Sequence, residues 1–591
     1  MRMATALCVM MSACTALLLG GAAWAEDTHS KSEAVLIIQG QVQDETGSPI
    51  GDARVKVFHD GHPFQGEMNA AQGAGGHGDS GGRGPAVTAS NGLYMIWVKS
   101  NPDRITDGNW AVKVSKPSFK STELIPLTNP AESGVDSHGL RQYNASVSLT
   151  LKRFQGIAFW LALAVLVGIY VLISFELVHR TLAAFLGAGV ILLITHTLGH
   201  FDSSFQILTF EQALHAVDWN VIFLLMGMMI IVGVLKESGV FQWMAYKAFQ
   251  YSGGRIFVLS AVLCLVTAVL SAFLDNVTTM LLLTPVTIEI ALVLGISPFA
   301  FLIPEIMASN FGGTATLIGD PPNIMIGSYA GLTFNDFVIT LTPPVIVALA
   351  AQILYTKWYY GRDYEKAKVD DVPEMISFLK EKYQITNYTI LASGGAVLAG
   401  VVMLFILHGM FHMQVSVAAL FGGATILLVS RVDIVEILER DIEWPSLIFF
   451  IMLFIVVGGA EETGILQYIA DWLMKLCANN LILAVLLIMW TSAILSAIVD
   501  NIPFTATMLP VVAFLSKTIP GAESGVLWWA LALGACFGGN ATIIGASANV
   551  ITIGIAERAG HKITFLDFIK HGTPITIVGL IIASAYLMLI L

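Results

Sequence analysis

Charge is what this chain has least of. Lysine, arginine, aspartate and glutamate together make up 12% of its 591 residues, while hydrophobic residues make up 55%. A soluble protein carries about twice that charged fraction, so a soluble globular chain is excluded. Cysteine is scarce as well. Of five, Cys8 and Cys14 lie near the start and Cys264, Cys477 and Cys536 in apolar stretches. Residues 26–150 contain none, which excludes a disulfide framework there, and the apolar cysteines read as small hydrophobic residues. No phosphate-binding glycine loop, haem motif or hydrolytic triad occurs, so an enzyme is not expected. His59, His62 and His77 fit no strong metal-ligand spacing and read as exposed loop histidines. No metal, cofactor or nucleic-acid partner is expected.

What the chain has instead is oil. From about residue 155 onward, apolar runs recur near the roughly 20 residues a bilayer-crossing helix requires, and mean hydropathy is +0.74. The reading is a polytopic protein of the inner or plasma membrane, with the lipid bilayer as its first partner. Arg2, the apolar run from Ala4 and Ala23-Trp24-Ala25 make residues 1–25 an export signal, with an uncleaved first transmembrane helix as the alternative. Either delivers residues 26–150 outside the cytoplasm. There, VLIIQGQV, ARVKVFHD, GLYMIWVK, NWAVKVS and ASVSLTL read as short strands of a small β-sandwich. Residues 73–84, GAGGHGDSGGRG, read as a mobile loop. The opening, IQGQVQDETGSPIGDARVKVF, resembles carboxypeptidase-regulatory-like and transthyretin-like extracellular domains.

The apolar part repeats itself. WNVIFLLMGMMIIVGVLKESGV starts at Trp219 and WPSLIFFIMLFIVVGGAEETGI at Trp444, 225 positions later. SAFLDNVTTMLLLTPV (271–286) pairs with SAIVDNIPFTATMLPV (496–511) at the same offset, and FGGTATLIGDPPN (311–323) with FGGNATIIGASAN (537–549) at 226. The expected layout is repeat 1 over 155–356, a charged cytoplasmic linker over 357–387, and repeat 2 over 388–591. Repeat 1 has an odd number of crossings, near 155–175, 181–198, 219–235, 299–325 and 337–356, so repeat 2 must run inverted. With the start outside, Arg180, Lys236, Arg362, Lys382, Arg440 and Lys570 fall inside, and between membrane segments only Lys475 and Lys517 fall outside. That satisfies the positive-inside rule and leaves the C-terminus outside. Inverted repeats are a common plan of secondary transporters, with the site near midplane where the repeats meet.

Two polar pairs interrupt the oil. Asp275-Asn276 divides 256–294 into two arms, and Asp500-Asn501 divides 481–515 in the same way, as spans or as re-entrant hairpins. Such residues can cap a helix, and the asparagines fit that role. An acid in both copies points to proton or ion coupling, because intramembrane acids are expensive and functional by default. The second block, SNFGGTATLIGDPPNIM (309–325), cannot be one helix, since Gly312-Gly313 loosens it and Pro321-Pro322 ends it. Broken backbone at membrane depth belongs beside a cavity or inside protein. Thr278, Thr314, Thr316 and Asn323, with Asn540, Thr542, Ser547 and Asn549 of the second copy, offer oxygen ligands for an ion. Helix packing is the alternative for the small residues. Asp320, replaced by Ala546 in the copy, is a third, unduplicated acid.

DNVTTMLLLTPVTI, GGTATLIGDPPNIM and the duplicated layout resemble the ArsB/NhaD/P-protein branch of the ion transporter superfamily, related to divalent anion:Na⁺ symporters, over roughly 155–591. The resemblance implies an all-α membrane domain of two inverted repeats with re-entrant hairpins and broken helices, behind an extra domain outside the cytosol. In the symporters, Ser-Asn-Thr motifs at the hairpin tips help bind Na⁺ and a carboxylate. Here Asp275-Asn276-Val277 and Asp500-Asn501-Ile502 take those positions. An acid in place of each serine favours proton-coupled antiport with Na⁺ and H⁺ as coupling ions. Arsenite efflux or organic-anion transport of the citrate or dicarboxylate type is the alternative, a small ion or anion being the cargo in each case. A membrane-anchored receptor using the β-domain is the alternative of another class. A homodimer is the oligomer considered.

Overall fold

The computed structural model describes residues 34–591, apart from residues 71–85, shorter stretches of the N-terminal part, residues 367–371 and residue 479. The expected export signal (1–25), the glycine-rich segment 73–84 and His77 lie outside the described residues. The chain divides into two compact units, Met1–Phe154 and Gln155–Leu591.

In the first unit, strand β1 (Ala34–Asp44) buries alternate residues, the period-two pattern of a half-buried strand. It pairs antiparallel with β3 (Leu93–Ser100) and parallel with β5 (Arg141–Ser146). A second sheet is built on β2 (Arg54–His59) and β4 (Trp110–Ser115). Leu36, Ile38, Ile96 and Val98 from one sheet and Val55, Val57, Val112 and Val114 from the other share a single core, which makes the unit a sandwich. Gly40 must lack a side chain, because a Cβ there would sit 1.8 Å from the carbonyl oxygen of Val147. His59 rests on the ring of Trp110 and beside Asp60.

The second unit is helical, and ten of its described helices are long and apolar enough to cross a membrane. The first repeat comprises α1 (Ile157–Ser174), α2 (Arg180–His196), α3 (Trp219–Lys236), α4 (Ile256–Phe273), α5 (Asn276–Val293), α6 (Phe299–Thr314), α7 (Pro321–Ala330) and α8 (Phe334–Lys366). The second follows the same order with α9 (Tyr388–Leu407), α10 (Val415–Ser430), α11 (Trp444–Glu462), α12 (Leu481–Val499), α13 (Asn501–Thr518), α14 (Val526–Gly538), α15 (Ser547–Arg558) and α16 (Phe565–Ile590). Helices α3, α6, α11 and α14 are predominantly apolar and lie mostly or wholly inside the unit, where such helices belong, although α6 also buries Glu305, Ser309 and Asn310.

Hydrogen bonds sort the helix ends into two groups. At one end, Thr386 of the linker donates to the Glu237 carbonyl (2.8 Å), Lys236 meets Asp441 (3.0 Å), and Thr181 donates to the Pro445 carbonyl (2.8 Å). At the other, Asn220 bonds Ser328 (3.1 Å) and the backbone N–H of Ser416 (3.2 Å), and His408 meets the N–H of Phe334 (3.1 Å). Helix α3 therefore starts at the second end, whereas its copy α11 starts at the linker end. The repeats are inverted.

The broken segments differ in detail from the sequence expectation. Pro321 and Pro322 do not end a helix but begin one: they occupy the first turn of α7, where a missing N–H goes unused. The chain breaks earlier, over residues 315–320. Gly312 permits contact rather than looseness, since a Cβ would lie 2.2 Å from the Ala268 carbonyl oxygen of α4; Gly538 has the same relation to Ala493 of α12, at 2.5 Å. Phe311 and its copy Phe537 meet edge to face at 4.7 Å, where the two repeats interlock.

Candidate functional site

Both polar pairs lie where one helix stops and the next begins. Helix α4 ends at Phe273, and Asp275 caps α5, accepting from the N–H of Thr278 at 2.9 Å and from the Thr278 hydroxyl. Asp500 caps α13 through the N–H of Ile502 at 3.2 Å, but from a backbone φ of +95°. Such a conformation is strained for a residue with a side chain and persists where surrounding structure enforces it. The aspartates are therefore the caps, not the asparagines.

The asparagines reach inward instead. Asn276 donates to Asn310 of α6 (3.2 Å), and Asn310 donates to Asn540 (2.9 Å) and Asn549 (3.0 Å) of the other repeat. The copy breaks this pattern, for Cys536 stands at the position of Asn310 and donates to Asn323 (3.6 Å). Asn501 turns to Asp320, its amide 3.3 and 3.4 Å from the two carboxylate oxygens. Asp320 is fully buried and starts α7 without capping it. The unduplicated acid thus joins the second tip, across the repeat boundary.

The remaining expected ligands divide into clasps and lining. Asn323 binds the carbonyls of Thr314 (3.0 Å) and Thr316 (2.8 Å), and Asn549 those of Gly539 (2.7 Å) and Thr542 (2.8 Å). Each amide thereby satisfies carbonyls that the helix break would leave orphaned in a buried place, which would cost about 1–3 kcal/mol apiece. Thr314 donates to the Asn310 carbonyl (2.7 Å), Thr316 to that of Ala272 and Thr542 to that of Ala497. Ser547 donates to Asp500 at 3.2 Å. Asn540 leaves its amide nitrogen buried with no partner among the described residues.

Four residues of the site are not visible as such in the sequence. Arg180, read there as a cytoplasmic-side charge, enters from α2 and lies 3.5 Å from Asp500 Oδ2 while also donating to Ser547. Its second nitrogen bonds Ser446 (3.1 Å), which bonds Glu443 (3.0 Å), and its guanidinium packs 5.3 Å from the Phe449 ring. Asn310, Cys536 and Glu443 complete the set. Asn310 and Cys536 stand at equivalent positions just before the duplicated glycine pairs, a signal that comparison of the copies reveals. The four acids Asp275, Asp320, Asp500 and Glu443 interact electrostatically with one another in a chain, and Arg180 is the single cation bonded to them among the described residues. Such a site can take up protons or cations, and its guanidinium and amides can hold an oxyanion.

The profile of a family described as "Citrate transporter" matches residues 170–534. An uncharacterised transporter of Mycobacterium tuberculosis is 42% identical over 72% of this chain and 97% of its own length. The P protein of Homo sapiens is 34% identical over 85% of this chain and 69% of its own, in keeping with the resemblance to the P-protein branch. With duplicated broken helices, opposed acidic tips and these relatives, the chain belongs to the citrate transporter family, and it is a membrane transporter.

Proposed function

We propose that this transporter is a secondary active antiporter in which Asp275 and Asp500 bind the coupling ion, H⁺ or Na⁺, as the cargo crosses the opposite way. The observation that carries the reading is the surplus of acid at the site: four carboxylates face one guanidinium. Buried carboxylates without matching cations are strongly disfavoured, so the site works with bound protons or cations. Loading and releasing them from alternate sides is what coupling requires. The linker end of the helices is cytoplasmic in this reading, following the lysine and arginine placement, and the N-terminal sandwich is an extracytoplasmic accessory.

A second reading, carriage of a citrate-type organic anion together with its cations, is favoured by Arg180 and by the unpartnered amide nitrogen of Asn540. The purified protein in liposomes, loaded with a pH-sensitive dye, separates the two when challenged in turn with Na⁺, Li⁺, arsenite and citrate. Dye response to Na⁺ or Li⁺ alone supports antiport, whereas a response that requires citrate supports the second reading. Silence to all four sinks both. Deleting residues 26–150 behind the signal leaves the response intact if the sandwich is accessory.

A further inference from the structure

Away from the tips, α6 carries one more acid. Glu305 is fully buried. The Thr287 hydroxyl of α5 donates to its Oε1 at 3.0 Å, and its Oε2 has no partner among the described residues. Gln352 of α8, held by a 2.8 Å bond to the Pro304 carbonyl, also leaves its Oε1 unpartnered among the described residues, as Thr284 does its hydroxyl. This polarity belongs to the first repeat alone. At the corresponding positions of the second stand Leu531, Val512, Ala583 and Leu509, so the shared architecture packs well without it.

The location is the linker side of α6. Tyr364, near the end of α8, donates to the Ala300 carbonyl (2.7 Å) and to Ser260 (3.0 Å). The titratable groups facing Glu305 are Cys264 from α4 and Tyr364 from α8. Glu289 of α5 is engaged with Lys382 and Tyr383, Cys536 of α14 with Asn323, and His571 of α16 with the rings of Tyr359 and Tyr360. From α15, Ile555 and Ala556 present apolar surface to the neighbouring Leu302. No cation stands within ion-pairing distance of Glu305 among the described residues.

We infer that Glu305 is a second proton-binding site of the transport cycle, separate from the tips, with the proton carried on Oε2. Oε1 is occupied as an acceptor by Thr287, whereas Oε2 faces no donor, so a proton from water added there neutralises the acid without breaking any bond in place. Its place in the cycle rests on the coupling reading, to which it adds a proton site on the linker side, but detecting the proton needs no cargo. The full-length protein in liposomes is titrated from acid to alkaline pH by infrared difference spectroscopy. A carboxylic C=O band that disappears on titration, is absent from E305Q, and moves to higher frequency in T287V supports the site. T287V retains the acid and removes the donor to Oε1 seen among the described residues, so it keeps the test decisive where E305Q fails to fold. A spectrum in which neither variant alters a carboxyl band overturns the site, and so does a Glu305 band that persists unchanged at every pH. Flux is not read, so failure of the coupling proposal and failure of the Glu305 site are told apart.

Discussion

Gly312→Ala adds one methyl group where there is no room for it. The new Cβ would stand 2.2 Å from the carbonyl oxygen of Ala268 and 2.5 Å from its Cα. Real Cβ contacts essentially never fall below 3.0 Å, so α6 must retreat from α4 by about 0.8 Å. The obstacle is backbone on both sides, and no rotamer change relieves it. Overpacking of this kind costs typically 1–3 kcal/mol, against which alanine's helix preference returns at most about 1 kcal/mol. The retreat also stretches the adjoining ties, in which Ser271 donates to the Ser309 carbonyl at 2.7 Å and Ser309 to Ser271 at 3.1 Å. Asn310, the hub of the asparagine chain, is the next residue. The expected outcome is a net loss of about 1–2 kcal/mol, read as a lower thermal midpoint of the purified protein, with reduced flux. Gly361→Ala on α8 meets nothing within 4 Å and serves as the control, with unchanged or slightly raised stability. Equal midpoints for the two variants would refute the close-approach reasoning.

Asn310→Ala removes three hydrogen bonds, to Asn276, Asn540 and Asn549; at about 1 kcal/mol each it lowers stability by about 3 kcal/mol in the same thermal assay. Arg180→Gln withdraws the cation from Asp500 but keeps a donor for Ser446, so the fold survives and flux falls at least about tenfold, equivalent to roughly 1.4 kcal/mol; wild-type flux would remove Arg180 from the site. Orientation is read with single cysteines in a cysteine-free background. Glu381→Cys at the linker end resists membrane-impermeant thiol reagents in intact cells, and Glu523→Cys, exposed beyond α13, reacts; the reverse pattern overturns the assigned sidedness.

The fold was largely legible because its strongest signals are periodic. The 225-residue offset joins Trp219 to Trp444 and Asp275 to Asp500, and an odd number of crossings forces inversion. The interior wiring was not, because side-chain partners depend on which helices touch. Asn276 and Asn501 look alike in sequence, yet one finds Asn310 and the other Asp320, since Cys536 replaces the copied asparagine. Arg180 counts towards the positive-inside tally wherever its side chain points, and only packing against α11 turns it toward Asp500. Thr314, Thr316, Asn323 and Asn549 have the oxygens of ion ligands, but much of their hydrogen bonding holds the broken backbone together. Glu305 announced itself as an acid in an apolar run, a signal eclipsed by the duplicated tips.

The tips decide the coupling mechanism most directly. Asp275→Asn and Asp500→Asn remove a titratable charge while keeping size and capping ability, and at position 500 asparagine meets the same backbone strain that the aspartate already bears. Folding therefore survives both changes. Flux of the correctly inserted variants, measured against pH in liposomes, should collapse or lose its pH dependence in Asp275→Asn. Asp500→Asn should do likewise but less severely, because Asp320 remains beside Asn501. Wild-type rates with a wild-type pH profile in both variants would contradict the claim that these acids carry the coupling ion.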